Sequence, residues 1–167
     1  RQKRCVEGVI DVIDNGETDR VSVMSHVPGK GQFRDTEAFR EYYESTNDRT
    51  VEEAEEIIEE RVAIPMATLR ERVERVVDHA HDAGVVTASH DDENPKEVES
   101  VAESGVDIAE YPITVETAKR AAEIGMTTAM GAPNLVRGES QWGKLSTADG
   151  IDAGGVDELV ADYHPPS

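Results

Sequence analysis

The sequence predicts an α/β protein built from about five strand-helix units, a portion of a TIM-type (β/α)8 barrel. Short apolar runs alternate with amphipathic stretches of helical periodicity, which is the pattern of βαβ crossovers and a parallel sheet. Polar and ionisable residues recur where the apolar runs end, at the face that carries the active site of a barrel. An open doubly wound sheet would also fit the alternation, but no GxGxxG sequence follows a strand, which weakens the dinucleotide-binding alternative.

The length limits the domain organisation. A chain of 167 residues is the size of one ordinary domain, whereas a complete eight-stranded barrel with its helices takes about 250 residues. The length therefore permits residues 1–167 to be one domain or part of a larger one.

The first predicted elements are a strand and a helix joined by a glycine-rich loop. Residues 21–24 form a β-branched run, and His26 follows it closely. Aromatic side chains at helical spacing predict a helix over residues 36–43. Helix-forming residues then dominate the segment 51–83, where Pro65 should separate two helices because proline breaks the hydrogen-bond pattern.

The same alternation continues along the rest of the chain. Three strands and two helices are predicted, in the order 85–89, 95–104, 106–110, 115–124 and 126–130. Glycines follow the helices and should end them. A long polar loop over residues 131–149, a short helical stretch over 155–159 and a strand over 160–163 complete the pattern.

The charge balance excludes two classes of partner. There are 36 Asp and Glu residues against 17 Lys and Arg residues, for a formal charge of -19 and a pI of about 4.5. Such a surface repels nucleic acid and anionic membranes. The carboxylates are interleaved with periodic Val, Ile and Ala, which favours folded elements over disorder. An acidic, lysine-poor surface is typical of a protein that stays soluble in concentrated salt.

The sequence also bears on localisation and redox chemistry. It contains no run that approaches the ~20 apolar residues of a membrane helix, and its first residues lack the apolar core of a signal peptide. We therefore expect a soluble, cytoplasmic protein. Cys5 is the single cysteine, so the chain cannot form an internal disulfide, and a buried thiol is the expected state.

Candidate metal ligands follow the predicted strands. His26, His90 and Asp162 each stand near the carboxyl end of a different strand, and Glu110 ends another. A parallel barrel would bring these ends to one rim. Imidazole and carboxylate groups suit zinc or manganese. Such a metal would lower the pKa of a bound water, and Asp162 could hold the metal, the proton or both as the catalytic residue.

Cations are few in this chain, so their positions are informative. Lys30 and Arg34 follow one predicted strand, and Arg137 and Lys144 follow another. All four fall in rim loops, where they could bind an anionic group. Glycines in the same loops, such as Gly131, would let backbone N–H groups approach phosphate oxygens, although turn formation explains them as well.

Each of these features also has a purely structural interpretation. A single histidine is more often a surface or core residue than a ligand. His79 and His81 lie late in a predicted helix, where a cation suits the helix C-terminus, and we interpret them as structural. Glu110 could equally be a rim residue that pairs with a cation.

Five segments occur in an order that carries a resemblance. They are VSVMSHVPGKGQFRD (21–35), TASHDD (87–92), IAEYPITVETA (108–118), MGAPNLVRG (130–138) and ADYHPPS (161–167). Together they resemble the diphosphatases of the carbon-phosphorus lyase pathway, within the amidohydrolase superfamily. The resemblance spans nearly the whole chain and is most specific in MGAPNLVRG and in the HxPGxxQFRD pattern.

The resemblance implies a (β/α)8 barrel with divalent metal at its rim. The implied reaction is hydrolysis of ribose 1-methylphosphonate 5-triphosphate to the 5-phosphate and pyrophosphate during alkylphosphonate degradation. His90 and Asp162 match the metal-site positions, and His26 follows with a weaker match. Asn134, like Arg34 and Arg137, lies in a matching loop and becomes a phosphate-contact candidate by position.

The chain also departs from the pattern of these diphosphatases. Ser25 stands where an aspartate is usual, and Gln141 stands where a histidine is common; either difference could alter metal affinity. The first-strand histidine motif and the tail after the last strand have no counterpart. We therefore expect an incomplete amidohydrolase-like barrel, completed by a missing half or by a homo-oligomeric partner.

Two other functions remain open from the sequence. Another amidohydrolase, of the deaminase or amidase type, would not need an anion pocket. Alternatively, the chain could be a noncatalytic subunit in which a partial barrel serves as a scaffold.

Overall fold

The computed structural model describes residues 2–24, 50–138 and 145–161. The chain divides into two compact units, one formed by Arg1–Met24 and Arg72–Ser167 and the other by Ser25–Glu71. Several sequence predictions fall outside the described residues, namely the helix over 36–43, Ser25, His26, Lys30, Arg34, Gln141, Lys144 and Asp162.

The described strands form one parallel sheet. The strands are β1 (Arg20–Ser22), β2 (Val86–His90), β3 (Ile108–Glu110), β4 (Thr127–Gly131) and β5 (Glu158–Val160). Their order in the sheet is their order in the chain, and every neighbouring pair is parallel. The predicted α/β class is confirmed.

Helices connect these strands. They are α1 (Gln2–Asp14), α2 (Val51–Val62), α3 (Met66–Asp82), α4 (Pro95–Glu103), α5 (Val115–Glu123), α6 (Ala132–Arg137) and α7 (Thr147–Asp152). Pro65 lies between α2 and α3, as predicted. Asn94 caps α4 by accepting hydrogen bonds from the backbone of Lys96 and Glu97. Gly105 follows α4 with φ of +87°, a conformation that favours glycine.

Three sequence expectations are wrong in this part of the chain. The long loop over 131–149 contains α6 and α7, which are only six residues each and too short to show a helical period. Residues 155–159 form no helix, and β5 begins at Glu158. Cys5 is exposed, because α1 turns a different face, with Val6, Val9 and Ile13, toward the core.

The two faces of the sheet have different partners. On one, which we call the helix face, Val21 packs with residues of α1 and α3, and Ala109 packs with residues of α3, α4 and α5. On the other, the inner face, Ala88, Ile108 and Ala129 form a cluster with each other and with Val160 of β5. The split follows from the strand period of two, which sends successive side chains to opposite faces.

The sheet is curved with its inner face concave. β1 and β5 are first and last in the strand order, and in a flat sheet four inter-strand steps would separate them by about 19 Å. Nevertheless Arg20 of β1 contacts Glu158 of β5, with Nη2 and Oε2 3.4 Å apart. The outer strands are therefore brought toward each other across the inner face.

Candidate functional site

The carboxyl ends of β2 and β3 bring two ionisable side chains together. His90 ends β2, Glu110 ends β3, and the parallel register pairs them directly. His90 Nδ1 lies 3.5 Å from Glu110 Oε2. Their side chains are 29% and 12% exposed, respectively, so both groups are partly shielded from water. The structure thus joins two of the predicted metal-site candidates.

Glu110 is also bound by two side chains of β1. Arg20 donates from Nη1 to Oε1 at 3.0 Å, and Ser22 donates from Oγ to Oε2 at 2.7 Å. The contact with His90 is the largest influence on the Glu110 carboxyl and, with the bonds from Ser22 and Arg20, outweighs burial and holds its pKa below the ordinary value. Glu110 has the cation partner that the structural interpretation expected, and its role as a metal ligand stays a prediction.

Both strands end in the same unusual turn. Asp91 and Tyr111, which follow His90 and Glu110, have φ of +58° and +54°, in the left-handed region that costs a non-glycine residue about 1–3 kcal/mol. Asp91 N–H donates to Glu110 O at 3.0 Å, and Tyr111 N–H donates to Ala129 O at 2.9 Å. Each turn is therefore held by the next strand of the sheet.

The turn after β3 places an aromatic ring against His90. The rings of His90 and Tyr111 have centroids 5.0 Å apart and are tilted by 56°. A Cβ added at Gly131 would lie 3.4 Å from Tyr111 Cε1, at van der Waals contact, so the backbone of Gly131 lies close to the ring. Gly131 was predicted to admit phosphate to the backbone, and its observed neighbour is this tyrosine.

Asn134 and Arg137 lie in α6, directly after β4. Asn134 accepts from Thr147 N–H at 3.0 Å and donates from Nδ2 to Leu145 O at 3.3 Å. Arg137 Nε donates to Pro133 O at 3.2 Å. The Asn134 amide therefore ties α6 to the start of α7, and contact of either side chain with phosphate stays a prediction.

The other two histidines of the described chain have carboxylate partners. His79 Nε2 lies 2.7 Å from Asp14 Oδ1, and His81 Nε2 lies 3.0 Å from Asp107 Oδ2. Both contacts link α3 to other elements of its unit, which agrees with the structural role expected for these residues.

The described ranges contain only part of the predicted metal site. Within residues 2–24, 50–138 and 145–161, no group of three or more His, Cys, Asp or Glu side chains could hold a metal ion. A catalytic zinc site takes three protein ligands, and His90 and Glu110 are of suitable chemical types. His26 and Asp162, whose positions the structure leaves undescribed, follow the ends of β1 and β5 by four and two residues in the sequence.

Sequence reasoning missed three contributors to this arrangement. Arg20 lies directly before the predicted strand 21–24 and Ser22 lies within it, and both reach Glu110 across the inner face. Tyr111 carried no signal beyond its position next to Glu110. The scarcity of cations is the one available clue, and it draws attention to Lys and Arg in the predicted rim loops rather than to Arg20.

Comparison with solved structures supports the fold class. A structure described as "Native KDPGal structure" matches with a TM-score of 0.52 at 12% identity, over 95% of this chain and 54% of the other. At this identity the likeness concerns the fold alone, which is the parallel α/β arrangement described above. In the described part of the chain, no helix is long and apolar enough to cross a membrane.

Sequence comparison gives a more specific relationship. No family model matches the chain. Alpha-D-ribose 1-methylphosphonate 5-triphosphate diphosphatase of Escherichia coli (strain K12) is 35% identical over 147 residues, which cover 88% of this chain and 39% of that protein. The resemblance inferred from the five segments is confirmed: the chain is a homologue of this diphosphatase over a region that spans about two fifths of its length.

Proposed function

We propose that the chain is part of a metal-dependent diphosphatase that hydrolyses a ribose 5-triphosphate phosphonate to the 5-phosphate and pyrophosphate in alkylphosphonate degradation. The observation that carries the proposal is the 35% identity to a curated diphosphatase over 88% of the chain. The pairing of His90 with Glu110 supports it, because both residues lie in segments that carried the resemblance.

The proposed fold is a portion of an amidohydrolase (β/α)8 barrel. Two observations support it. The strands are parallel and follow chain order, as successive barrel strands do. The contact between Arg20 and Glu158 brings β1 and β5 toward each other, which supports a sheet curved as a barrel requires. We propose that residues 1–167 form an incomplete barrel domain whose remaining strands come from a missing half or from a second copy.

The proposed metal site consists of His90, His26 and Asp162, with Glu110 beside them. Imidazole nitrogen and carboxylate oxygen are suitable donors for zinc or manganese. Such a metal, when bound, would activate water for attack on a phosphoanhydride. Asp162 would accept the proton of that water as the catalytic residue. His90 would help to hold the metal at the carboxyl end of β2, which is partly shielded from water.

The proposed substrate contacts are the cations that follow β1 and β4 in the sequence. Lys30, Arg34, Arg137 and Lys144 would bind the triphosphate, with Asn134 in the same helix, α6, as Arg137. Cations at this position would stabilise the charge that develops on the leaving pyrophosphate. No nucleic acid or membrane partner is proposed, since the formal charge of -19 opposes both.

The test is release of pyrophosphate from the ribose 5-triphosphate phosphonate by the purified chain, assembled with a second copy or with the missing half of the barrel, in the presence of zinc or manganese. We expect turnover that His90→Ala lowers by at least about 100-fold, because a metal ligand is lost. His79→Ala is the matched control, since His79 contacts Asp14 away from the site. Equal activity of the wild type and His90→Ala would contradict the proposal.

Two alternatives make different predictions in the same assay. A deaminase or amidase would act on a C–N bond, and Arg137→Ala would leave its turnover unchanged, whereas the diphosphatase should lose most of its activity. A noncatalytic subunit would be folded, would bind no stoichiometric metal and would hydrolyse nothing. Metal content measured on the purified protein separates this last possibility from both enzymes.

The acidic surface suggests the medium in which the protein works. We propose a cytoplasm of high salt, where screening over about 3 Å at 1 M relieves the repulsion among surface carboxylates. The thermal unfolding midpoint should then rise between about 0.1 and 1 M KCl. A midpoint that stays constant or falls would speak against this adaptation.

A further inference from the structure

Glu110 lies between His90 and the side chains of β1. Its Oε1 atom accepts from Arg20, and its Oε2 atom accepts from Ser22 and contacts His90. Both carboxylate oxygens are thus engaged by protein groups. A metal bound directly to this carboxylate would share an oxygen with one of these partners and would lie close to the positive charge of Arg20. The geometry suits a residue that acts through His90.

The contact with His90 is made through one particular ring nitrogen. Nδ1 is the atom 3.5 Å from Oε2. A carboxylate at this position favours a proton on Nδ1, since an ionised carboxylate can only accept. The proton on Nδ1 leaves the lone pair of neutral imidazole on Nε2, which is then the nitrogen suited to bind a metal.

We propose that Glu110 is a positioning residue, which fixes the His90 imidazole with its proton on Nδ1 so that Nε2 is directed to the metal. This inference rests on the proposed function, because it takes His90 as the metal ligand. A carboxylate behind a metal-bound histidine fixes the ring and raises its basicity. Glu110 is thereby reassigned from a predicted metal ligand to a residue that orients the ligand His90.

Arg20 and Ser22 extend the same support to β1. Their bonds hold the carboxylate in one orientation, at 3.0 and 2.7 Å, so the ring of His90 meets a fixed acceptor. Arg20 in turn contacts Glu158 of β5. The position of the His90 imidazole therefore depends on three residues of two strands, Glu110 of β3 and Arg20 and Ser22 of β1.

Tyr111 independently restricts the orientation of the His90 ring. Tyr111 packs against His90 with centroids 5.0 Å apart, and its ring is placed by a backbone with φ of +54°. Such a conformation persists only where its surroundings hold it in place. Glu110 contacts an edge of the imidazole and Tyr111 lies beside it, so one turn supplies both restraints.

The first experiment reads the tautomer of His90 without metal. Long-range ¹H–¹⁵N NMR of the full chain at neutral pH should show a protonated Nδ1 in the wild type and a mixture of tautomers in Glu110→Ala. Glu158→Gln is the matched control, because it alters the other carboxylate bound to Arg20 and should keep the wild-type signature. Predominant protonation of Nε2 in the wild type would overturn the proposal.

The second experiment measures the Kd for Zn²⁺ by competition with a chelating indicator. Glu110→Ala should weaken binding by about 10- to 100-fold, and Ser22→Ala, which retains the carboxylate, should weaken it less. His90→Ala should weaken binding more than Glu110→Ala does. If Glu110→Ala fails to fold, Ser22→Ala and Glu110→Gln still report the trend, with Glu110→Gln expected between the wild type and Glu110→Ala.

The outcomes separate the two proposals. If Glu110→Ala loses as much affinity as His90→Ala while His90 keeps its tautomer, Glu110 is a direct ligand and the positioning role fails. If His90→Ala binds Zn²⁺ as tightly as the wild type, the metal site of the proposed function fails first. Equal Zn²⁺ affinity of the wild type and Glu110→Ala, with His90→Ala impaired, would overturn the positioning role alone.

Discussion

The two faces of the sheet differ in what their side chains contact. On the helix face, Ala109 is fully buried among Val77, Val98 and Ala121, which are at most 1% exposed. On the inner face, Arg20 and Glu110 lie in a charged network of which the arginine is 36% exposed. The same short strands carry both sets, because alternate residues point in opposite directions. The helix face thus carries the apolar packing against the helices, and the inner face carries the charged side chains of the candidate site.

The energetics of the two faces also differ. Apolar burial on the helix face stabilises the fold in proportion to the area removed from water, at about 25 cal/mol per Å². Ion pairs on the inner face gain little net energy, since desolvation offsets attraction. Breaking such a pair is nevertheless costly when a shielded charge loses its partner. The two faces should therefore respond differently to substitution.

The largest effect is expected from the helix face. Val77→Ala removes two buried methyl groups from a residue that is 1% exposed, and should destabilise the fold by roughly 2 kcal/mol through lost burial and a cavity. Val12→Ala is the control, because Val12 is 40% exposed. Urea unfolding gives both values. Similar costs for the two variants would show that the helix face is not the stabilising core.

A smaller effect is expected from the inner face. Arg20→Met leaves the shielded Glu110 carboxylate without its cation and should cost about 1–2 kcal/mol. Arg75→Met is the matched control: Arg75 pairs with Glu7, and both side chains are about half exposed, so little change is expected. Equal losses in the two variants, measured by urea unfolding, would remove the distinction between the inner-face and surface ion pairs.

A pH-dependent effect should come from the opposite end of the strands. Burial raises the pKa of Asp107, but hydrogen bonds from Thr87 and His81 outweigh it and hold the pKa below its ordinary value. Ionised Asp107 therefore adds stability at neutral pH that is lost as the pH falls below about 4.

The corresponding variant is Asp107→Asn. It should lower the free energy of unfolding at pH 7 but change it less at pH 3, which flattens the acid limb. The effect should be modest because the side chain is 43% exposed. Asp11→Asn in α1 serves as the control. An acid limb unchanged from that of the wild type would show that this carboxylate does not contribute.

The smallest effect concerns salt. The cost of Arg20→Met should fall by less than about half between 0.1 and 1 M KCl, because partly buried pairs are screened less than exposed ones. The comparison requires unfolding curves of the wild type and Arg20→Met at each salt concentration. A cost that disappears at 1 M would mean that Arg20 behaves as an ordinary surface cation.

Local patterns predicted β2, β3 and β4 to within about two residues. Strands that are covered on both faces have continuous apolar sequences, and glycines bound these sequences in this chain. The pattern also located His90 and Glu110 at strand ends. It did not reveal α6 or α7, since six residues are too few to establish a helical period.

The partners of Glu110 could not be predicted in the same way. Arg20 is separated from Glu110 by 90 positions in the chain, and their contact depends on the curvature of the sheet. No local pattern encodes that curvature. The sequence also gives no indication of the left-handed turn at Tyr111, because tyrosine has no preference for positive φ. The sequence contains these residues, but only the fold shows that they contact one another.

The contact between β1 and β5 has a consequence for biosynthesis. Glu158 follows Arg20 by 138 residues, which a ribosome adds in roughly 7 to 28 s at 5–20 residues per second. During that interval Arg20 has been synthesised but Glu158 has not. The contact between β1 and β5 can therefore form only after residue 158 has been synthesised, so the curvature that it supports follows the synthesis of all five described strands.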